Sequence, residues 1–341
     1  MPPDPTKILL IRPSALGDIC RTVPVVAALR ARYPEARIEW MIQHGFEDAV
    51  RHHPAVGAIV PFPRKDLGRQ LVRGRIGETR AFLRSLKDAG YDMVLDAQGL
   101  ARSGLFMWAT RAARRIGYRQ AQEFAWLGAN ERVDAPMNLH TVDRMLRLAE
   151  RAGADVTKPD MRLYADPDAV SQVVIEHPER YAVLAPTSRW ASKRWPDDRF
   201  AALAKRLLED HLFERVIFVG APGERAQCPA CVAVASEHPR ITDRIGSTSI
   251  AMLMALISRS ALVVANDSAA LHMAVGFGRP TVALFGPTDT ARVGPYRRDG
   301  DVIQHRRAGD PINHKDDANA AMMERISVDE VAEACRARLS A

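Results

Sequence analysis

Short apolar runs alternate with longer stretches of helical spacing along most of the chain. Residues 7–11, 37–42, 58–61 and 93–96 are brief and almost continuously apolar, as expected of strands buried on both faces. Between them, residues 19–32 place apolar side chains three and four apart, with Pro24 predicting a kink or a late start, and residues 46–52 read as a short helix. The order β-α-β-α-β predicts a parallel sheet with helices on both faces. Residues 64–75 have no apolar period, carry Gly68 and Gly74, and read as a basic loop. The helix after it sets Arg80, Arg84 and Lys87 on a solvated side, with Ile76, Phe82 and Leu86 on the other.

The same alternation returns later. After a helical stretch at 140–152 the chain turns polar through Gly153, Pro159, Asp166-Pro167-Asp168 and His177-Pro178. Strands follow at 181–185, 215–219, 263–266 and 281–285, separated by helical segments, and a last helix covers 328–339. A chain of 341 residues accommodates two domains. Their expected bounds are 1–165 and 181–325, joined by a linker at 166–180 and followed by a C-terminal helical segment at 326–341.

The most informative stretch is 263–289. It reads as a buried strand, a turn opening a helix after Asp267, a stop at Gly278 and Pro280, and a second buried strand ending in another turn. In an α/β sheet both turns lie at the carboxyl edge of the strands, where ligands bind. The helix N-terminus there would present unpaired N–H groups and a positive dipole end to an anion, most naturally a phosphate.

Composition narrows this little further. The net charge of +7 favours an acidic partner, whether nucleic acid, an anionic membrane surface or a phosphorylated substrate. Four cysteines are too few and too scattered for a disulfide framework, and Cys228-Pro229-Ala230-Cys231 lacks the second ligand pair or thioredoxin-like context that metal or redox chemistry needs. Asp166-Pro167-Asp168 reads as a turn and helix cap, not as a metal-holding DxD. The opening residues are too short an apolar run for a leader or a span, so a cytoplasmic location is expected. GxGxxG, GxxxxGK[ST] and HExxH are absent from the sequence.

Asn266-Asp267-Ser268 with His272, Gly278-Arg279-Pro280-Thr281 and Phe285-Gly286-Pro287-Thr288-Asp289 together resemble the donor-site signature of the bacterial ADP-heptose:lipopolysaccharide heptosyltransferases. Ala269 stands where that family usually has glycine. The run Asp96-Ala97-Gln98-Gly99-Leu100 followed by Arg102 and Ser103 is similar to the first-heptose branch, and with Ser14-Ala15-Leu16-Gly17-Asp18 the resemblance extends from residue 7 to about residue 296. It implies the GT-B fold: two Rossmann-like, doubly wound α/β domains facing across a cleft, with the C-terminal helix packing back on the first. It also implies an inverting transfer of L-glycero-D-manno-heptose from ADP-heptose to the Kdo region of a lipopolysaccharide inner core.

The roles the resemblance implies are specific. Asp18 is the general base and Lys193 meets the donor diphosphate; from the residues alone they read as a helix cap and a surface lysine. Thr187, Ser188, Ser268, Ala269, His272 and Thr288 belong to the donor site; Glu224 accepts hydrogen bonds from ribose. Asp267 either binds heptose hydroxyls or orients amides, against a plain N-cap of a helix at 268–275. The acceptor, a Kdo-lipid A type molecule, falls to Ser14, Gly17, Arg64, Lys65, Gln98 and Arg102. No cofactor and no essential metal are expected, and the basic first domain is expected to rest on the anionic inner-membrane surface. Addition of a second heptose, transfer of another nucleotide-activated sugar and nucleotide-sugar epimerisation are the alternatives. Nucleic-acid binding is disfavoured, because few aromatics accompany the arginines and no reading motif is present.

Overall fold

The structure is a computed structural model that describes residues 3–340 apart from 65, 67 and 70–75. The chain divides into two compact units, Met1–Tyr164 and Ala165–Ala341. Each is built on a wholly parallel sheet of six strands among the described residues.

In the first unit the order is β3-β2-β1-β4-β5-β6. The strands are β1 (Lys7–Ile11), β2 (Arg37–Gln43), β3 (Ala58–Phe62), β4 (Met93–Asp96), β5 (Arg114–Tyr118) and β6 (Glu131–Val133). Ile8 to Ile11 are fully buried because helices cover both faces of the sheet. Helix α1 (Leu16–Arg32) runs through Pro24 without stopping, so the late start predicted there does not occur. Then come α2 (Gly77–Asp88), α3 (Ala101–Ala109) and α4 (Thr141–Arg151), the last packed along α1. One core layer gathers Phe62, Phe82 and Phe106, with Phe106 edge to face against both of the others and ring centroids 5.1 to 6.0 Å apart. Arg64, Asp66, Gly68 and Arg69 take helical backbone where the sequence pointed to a loop, helped by an ion pair between Arg69 and Asp66 one turn apart.

The second unit repeats the plan in the order β12-β11-β10-β7-β8-β9. Its strands are β7 (Tyr181–Ala185), β8 (Arg215–Gly220), β9 (Ile241–Ile245), β10 (Leu262–Asn266), β11 (Thr281–Leu284) and β12 (Val302–Ile303). Its helices are α5 (Pro167–Glu176), α6 (Asp197–Glu209), α7 (Pro229–Glu237), α8 (Ile250–Arg259), α9 (Ala269–Gly276), α10 (Thr290–Val293) and α11 (Val328–Ser340).

Two boundary expectations change. The stretch expected as a linker contains α5, because Asp166 caps it through the N–H groups of Asp168 and Ala169, Pro167 sits in its first turn, and the helix packs on α8. The C-terminal helix, expected to return to the first domain, buries Val331, Ala332 and Cys335 in the second unit's own core against α6, β10 and β11. Cys228 and Cys231 are buried free thiols in that core. Among the described residues no helix is long and apolar enough to cross a membrane.

Candidate active site

Each sheet changes its direction of winding once. In the first unit the change falls between β1 and β4, and in the second between β7 and β10. Loops leaving the carboxyl ends of such a strand pair diverge to opposite faces and leave a crevice for ligands. The residues singled out from the sequence cluster at these two places.

In the first unit the segment after β1 turns into α1 at Leu16, putting Asp18 in the first helical turn. Its carboxylate accepts the Ala15 N–H at 3.3 Å, an N3-to-N-cap return, so the helix begins earlier than the sequence suggested. It also pairs with Arg12 at 2.8 Å and with Arg21, both guanidiniums being 10% exposed against 22% for Asp18. Burial opposes the charge on Asp18, but the two guanidiniums and the Ala15 N–H outweigh it and hold its pKa well below the usual carboxylate range. Asp18 is therefore an anion throughout the physiological range. Arg12 also donates to the Ala97 carbonyl at 2.5 Å, which ties the loop after β1 to the loop after β4.

Asp96 shapes that second loop. Buried at the end of β4, it accepts from the N–H groups of Gln98 (2.9 Å) and Gly99 (3.0 Å) and from Ser103 Oγ (2.7 Å). Burial raises its pKa in spite of these bonds. Gly99 has φ +70°, and a Cβ there would stand 3.1 Å from the Tyr118 ring, so the turn requires glycine. The result is a cavity of about 390 Å³, open to solvent, in which Ser14, Arg64, Gln98 and Arg102 meet over an apolar floor of Phe62, Leu100 and Phe106. Gln98 Oε1 is buried without a hydrogen-bond partner among the described residues, and Arg102 lies over the Phe62 ring at 5.5 Å. Burial and the neighbouring Arg64 both lower the pKa of Arg102, the mark of two cations held close together. Of the other predicted acceptor residues, Gly17 lies in the first turn of α1 beside Asp18, and Lys65 lies outside the described residues.

In the second unit the predicted donor residues follow four neighbouring strands. Thr187 and Ser188 come after β7, Glu224 after β8, Asp267, Ser268 and Ala269 after β10, and Thr288 after β11. Asp267 does not cap a helix: Ser268 is the N-cap of α9 and Ala269 its first residue. The Asp267 carboxylate instead accepts from Lys193 Nζ at 2.5 Å, a pair 9% and 13% exposed. Lys193 reaches it from a short 3-10 turn, Ala191–Lys193. Ser268 Oγ and Thr288 Oγ1 are both buried without a hydrogen-bond partner among the described residues. Together with the first N–H groups of α9, they leave polar groups available to an anionic or hydroxylated ligand. His272, one turn further, is buried. Glu224 precedes a 3-10 turn and accepts the Ala221 N–H at 3.0 Å, closing the loop after β8.

Several organising residues were given no role of their own in the sequence reading. Asn266 donates to the Pro186 carbonyl at 2.7 Å and accepts from the Trp195 N–H at 3.1 Å, so one side chain fixes the loops after β7 and β10. Arg194 donates to the Ser188 carbonyl at 2.8 Å. His314 stacks edge-on to Trp190 at 5.8 Å, and burial followed by the charge of Lys193 lowers its pKa. Arg12 and Arg21 are the counterparts in the first unit. Asn266, His314 and Arg12 act through contacts far along the chain, which local spacing does not reveal, whereas Arg194 and Arg21 bond residues six and three positions away.

Comparison with known proteins bears on the family and the fold. The sequence model described as glycosyltransferase family 9 (heptosyltransferase) matches residues 79–322. The chain is similar to lipopolysaccharide heptosyltransferase 1 of Pseudomonas aeruginosa, 28% identical over 313 residues, covering 86% of this chain and 82% of that protein. It is equally similar, 28% over 311 residues, to lipopolysaccharide heptosyltransferase 2 of Salmonella typhimurium, covering 87% and 88%. Among solved structures, ADP-heptose heptosyltransferase II of Escherichia coli superposes with a TM-score of 0.79 at 23% identity, covering 98% of both chains. A putative UDP-N-acetylglucosamine 2-epimerase from Listeria monocytogenes shares the architecture more loosely, with a TM-score of 0.52 at 12% identity over 98% of this chain and 90% of that one. The GT-B fold alone is thus compatible with more than one activity, and it is the family match over most of the chain that decides: this protein is a glycosyltransferase of family 9, the heptosyltransferases.

Proposed function

We propose that the protein moves L-glycero-D-manno-heptose from ADP-heptose to the Kdo region of a lipopolysaccharide inner core, with inversion. The second unit takes the donor. Lys193, the unpartnered hydroxyls of Ser268 and Thr288, and the first N–H groups of α9 meet the diphosphate, where negative charge grows as ADP departs. Asp267 holds the Lys193 ammonium in place and offers its remaining lone pairs to sugar hydroxyls, while Glu224 takes the ribose. Because cationic and amide groups answer the leaving-group charge, transfer is expected to proceed in the presence of EDTA.

The first unit takes the acceptor. Arg64 and Arg102 suit the carboxylates of Kdo and neighbouring phosphates, and Gln98 Oε1 suits a sugar hydroxyl. Asp18 receives the proton of the attacking hydroxyl. A carboxylate held so acidic is a weak base toward an alcohol. It is adequate once the new C–O bond has formed, because the oxygen then carries positive charge and sheds its proton readily.

The observation that supports this reading best is the placement of Asp18 at one switch point and of the Lys193–Asp267 pair beside a helix N-terminus at the other. The test is ADP release with ADP-heptose in the presence and absence of Kdo-lipid A, with the product mass measured. Acceptor-dependent release and a gain of one heptose are expected. Release without acceptor would indicate an epimerase-like or hydrolytic activity, and transfer only to an acceptor already bearing one heptose would assign the second addition.

A further inference from the structure

Helix α3 carries a second surface besides the one it buries. Ser103, Gly104, Phe106, Met107 and Ala109 face inward, whereas Arg102, Leu105 and Trp108 recur at three-residue spacing on the exposed side. Leu105 and Trp108 are 42% and 44% exposed. Against α3 packs the 3-10 turn Ala125–Gly128, so tightly that a Cβ on Gly128 would stand 2.2 Å from the Gly104 carbonyl oxygen and one on Gly104 2.5 Å from that of Ala125. Beside these contacts sit Phe124 and Leu127, 72% and 62% exposed. Four large apolar side chains thus project from one ridge made by a helix and a turn locked together at two glycines.

The backbone is arranged to keep Phe124 outside. Glu123 and Phe124 have φ of +52° and +60°, a conformation uncommon for bulky residues. The loop is pinned there by two bonds: the Gln122 N–H to the Gly99 carbonyl at 3.0 Å, and the Ala101 N–H to the Glu123 carboxylate at 3.1 Å. Cations surround the apolar tips. The Arg111 guanidinium lies 3.7 Å from the Trp108 ring centre and that of Arg132 4.6 Å from the Trp126 ring, while Arg102 stands at the start of the helix. Glu123 is the acid within the ridge, and its carboxylate is engaged with the start of α3.

We propose that this ridge docks on an anionic lipid bilayer. Leu105, Trp108, Phe124 and Leu127 enter the boundary between headgroups and acyl chains, and Arg102, Arg111 and Arg132 meet lipid phosphates. Exposed aromatics interleaved with arginines match that boundary, which accepts apolar tips and attracts cations together. Arg102 belongs both to the ridge and to the rim of the cavity assigned to the acceptor, so docking would bring that cavity to a lipid-anchored sugar. This last link rests on the proposed function; lipid binding itself does not.

The experiment is co-sedimentation of the full chain with vesicles of phosphatidylethanolamine and phosphatidylglycerol, and with vesicles of phosphatidylcholine alone, at low and high salt. Binding to the anionic vesicles that weakens with salt is expected. The double variant Phe124→Ser/Leu127→Ser should lower partitioning by at least about tenfold, since the buried apolar area is lost. Both side chains are exposed, so its thermal transition should match the parent. Arg111→Gln/Arg132→Gln should remove most of the preference for anionic lipid. Heptose transfer to a water-soluble, lipid-free acceptor should be unchanged by Phe124→Ser/Leu127→Ser. Failure of the parent to bind anionic vesicles, or parent-like binding by that variant, would overturn the docking. A concentration-dependent dimer abolished by the same variant would also overturn it, as it would assign the ridge to a second copy of the chain. Should Kdo-lipid A prove not to be an acceptor, the vesicle result still decides the docking.

Discussion

Replacing Asp18 by asparagine separates its two duties. The carboxylate pairs with both Arg12 and Arg21, each 10% exposed, and its neutral replacement removes the negative charge that the two guanidiniums share. Breaking a buried pair costs about 3–5 kcal/mol, and the 22% exposure of Asp18 argues for somewhat less, on the order of 2–3 kcal/mol. For a unit of this size that corresponds to a melting temperature lower by roughly 4–12 °C. If Asp18 is also the base, the transfer rate should fall by about 10²–10⁴, measured as initial ADP release well below the variant's transition. ADP affinity should be nearly unaffected.

A companion variant keeps these effects apart. Adding Arg21→Met to Asp18→Asn removes one of the two cations that share that charge, so part of the lost thermal stability should return. The rate should not return with it. Recovery of transfer in the double variant would refute the base assignment and leave Asp18 a structural counter-ion. A single variant that melts with the parent would show that the Arg12–Asp18–Arg21 cluster does not hold the loop after β1 in place.

Other expectations follow from the second unit and from a buried histidine. Lys193→Met should lower kcat by about 10²–10³ and weaken ADP binding measured by calorimetry, because it removes the cation nearest the proposed diphosphate site. Ser268→Ala and Thr288→Val should each leave the melting temperature nearly unchanged, since neither hydroxyl has a protein partner, yet raise the KM for ADP-heptose several-fold. His53, buried against the edge of Tyr164, has its pKa lowered from 6.5 to about 4, chiefly by burial. The unfolded chain therefore binds the proton more tightly, so this residue's contribution is intact above pH 6.5 and is lost as pH falls through 4. The loss is on the order of 3 kcal/mol. Melting curves of the parent and of His53→Gln across that range should converge toward acid pH, and parallel curves would contradict the argument.

Strands buried on both faces were legible because nothing but aliphatic residues satisfies them: Lys7–Ile11 and Leu262–Asn266 needed no context. Of the outer strands, β3 was read at 58–61 but β5, β6 and β9 were not. β5 begins with Arg114 and Arg115, β6 is Glu-Arg-Val, and β9 places Asp243 and Arg244 in its middle. Strands toward the edge face solvent on part of their surface and lose the apolar signature. α3 was likewise missed as a helix, since Gly104 interrupts its helical spacing and its exposed side is as apolar as its buried one.

The candidate sites were legible in proportion to how local they are. Thr187, Ser188, Asp267, Ser268 and Thr288, singled out by the family resemblance, lie in the loops that leave β7, β10 and β11, and a strand-end position in a parallel sheet already says where a residue lies. What holds those loops together is not local. Asn266 links residues 71 and 80 positions away, and Arg12 reaches Ala97 across 85. The state of a titratable group depends on the partners the fold sets around it, even when they are near in sequence. From its neighbours in sequence Asp18 is a cap or a base, and only the two guanidiniums brought to it by the fold decide that it is an anion at every physiological pH. That makes a strict demand of the chemistry: a carboxylate so stabilised can accept a proton only from an oxygen already made acidic by bond formation. If Asp18 is the base proposed above, attack would precede proton transfer, and Arg12 and Arg21 would set that order as much as Asp18.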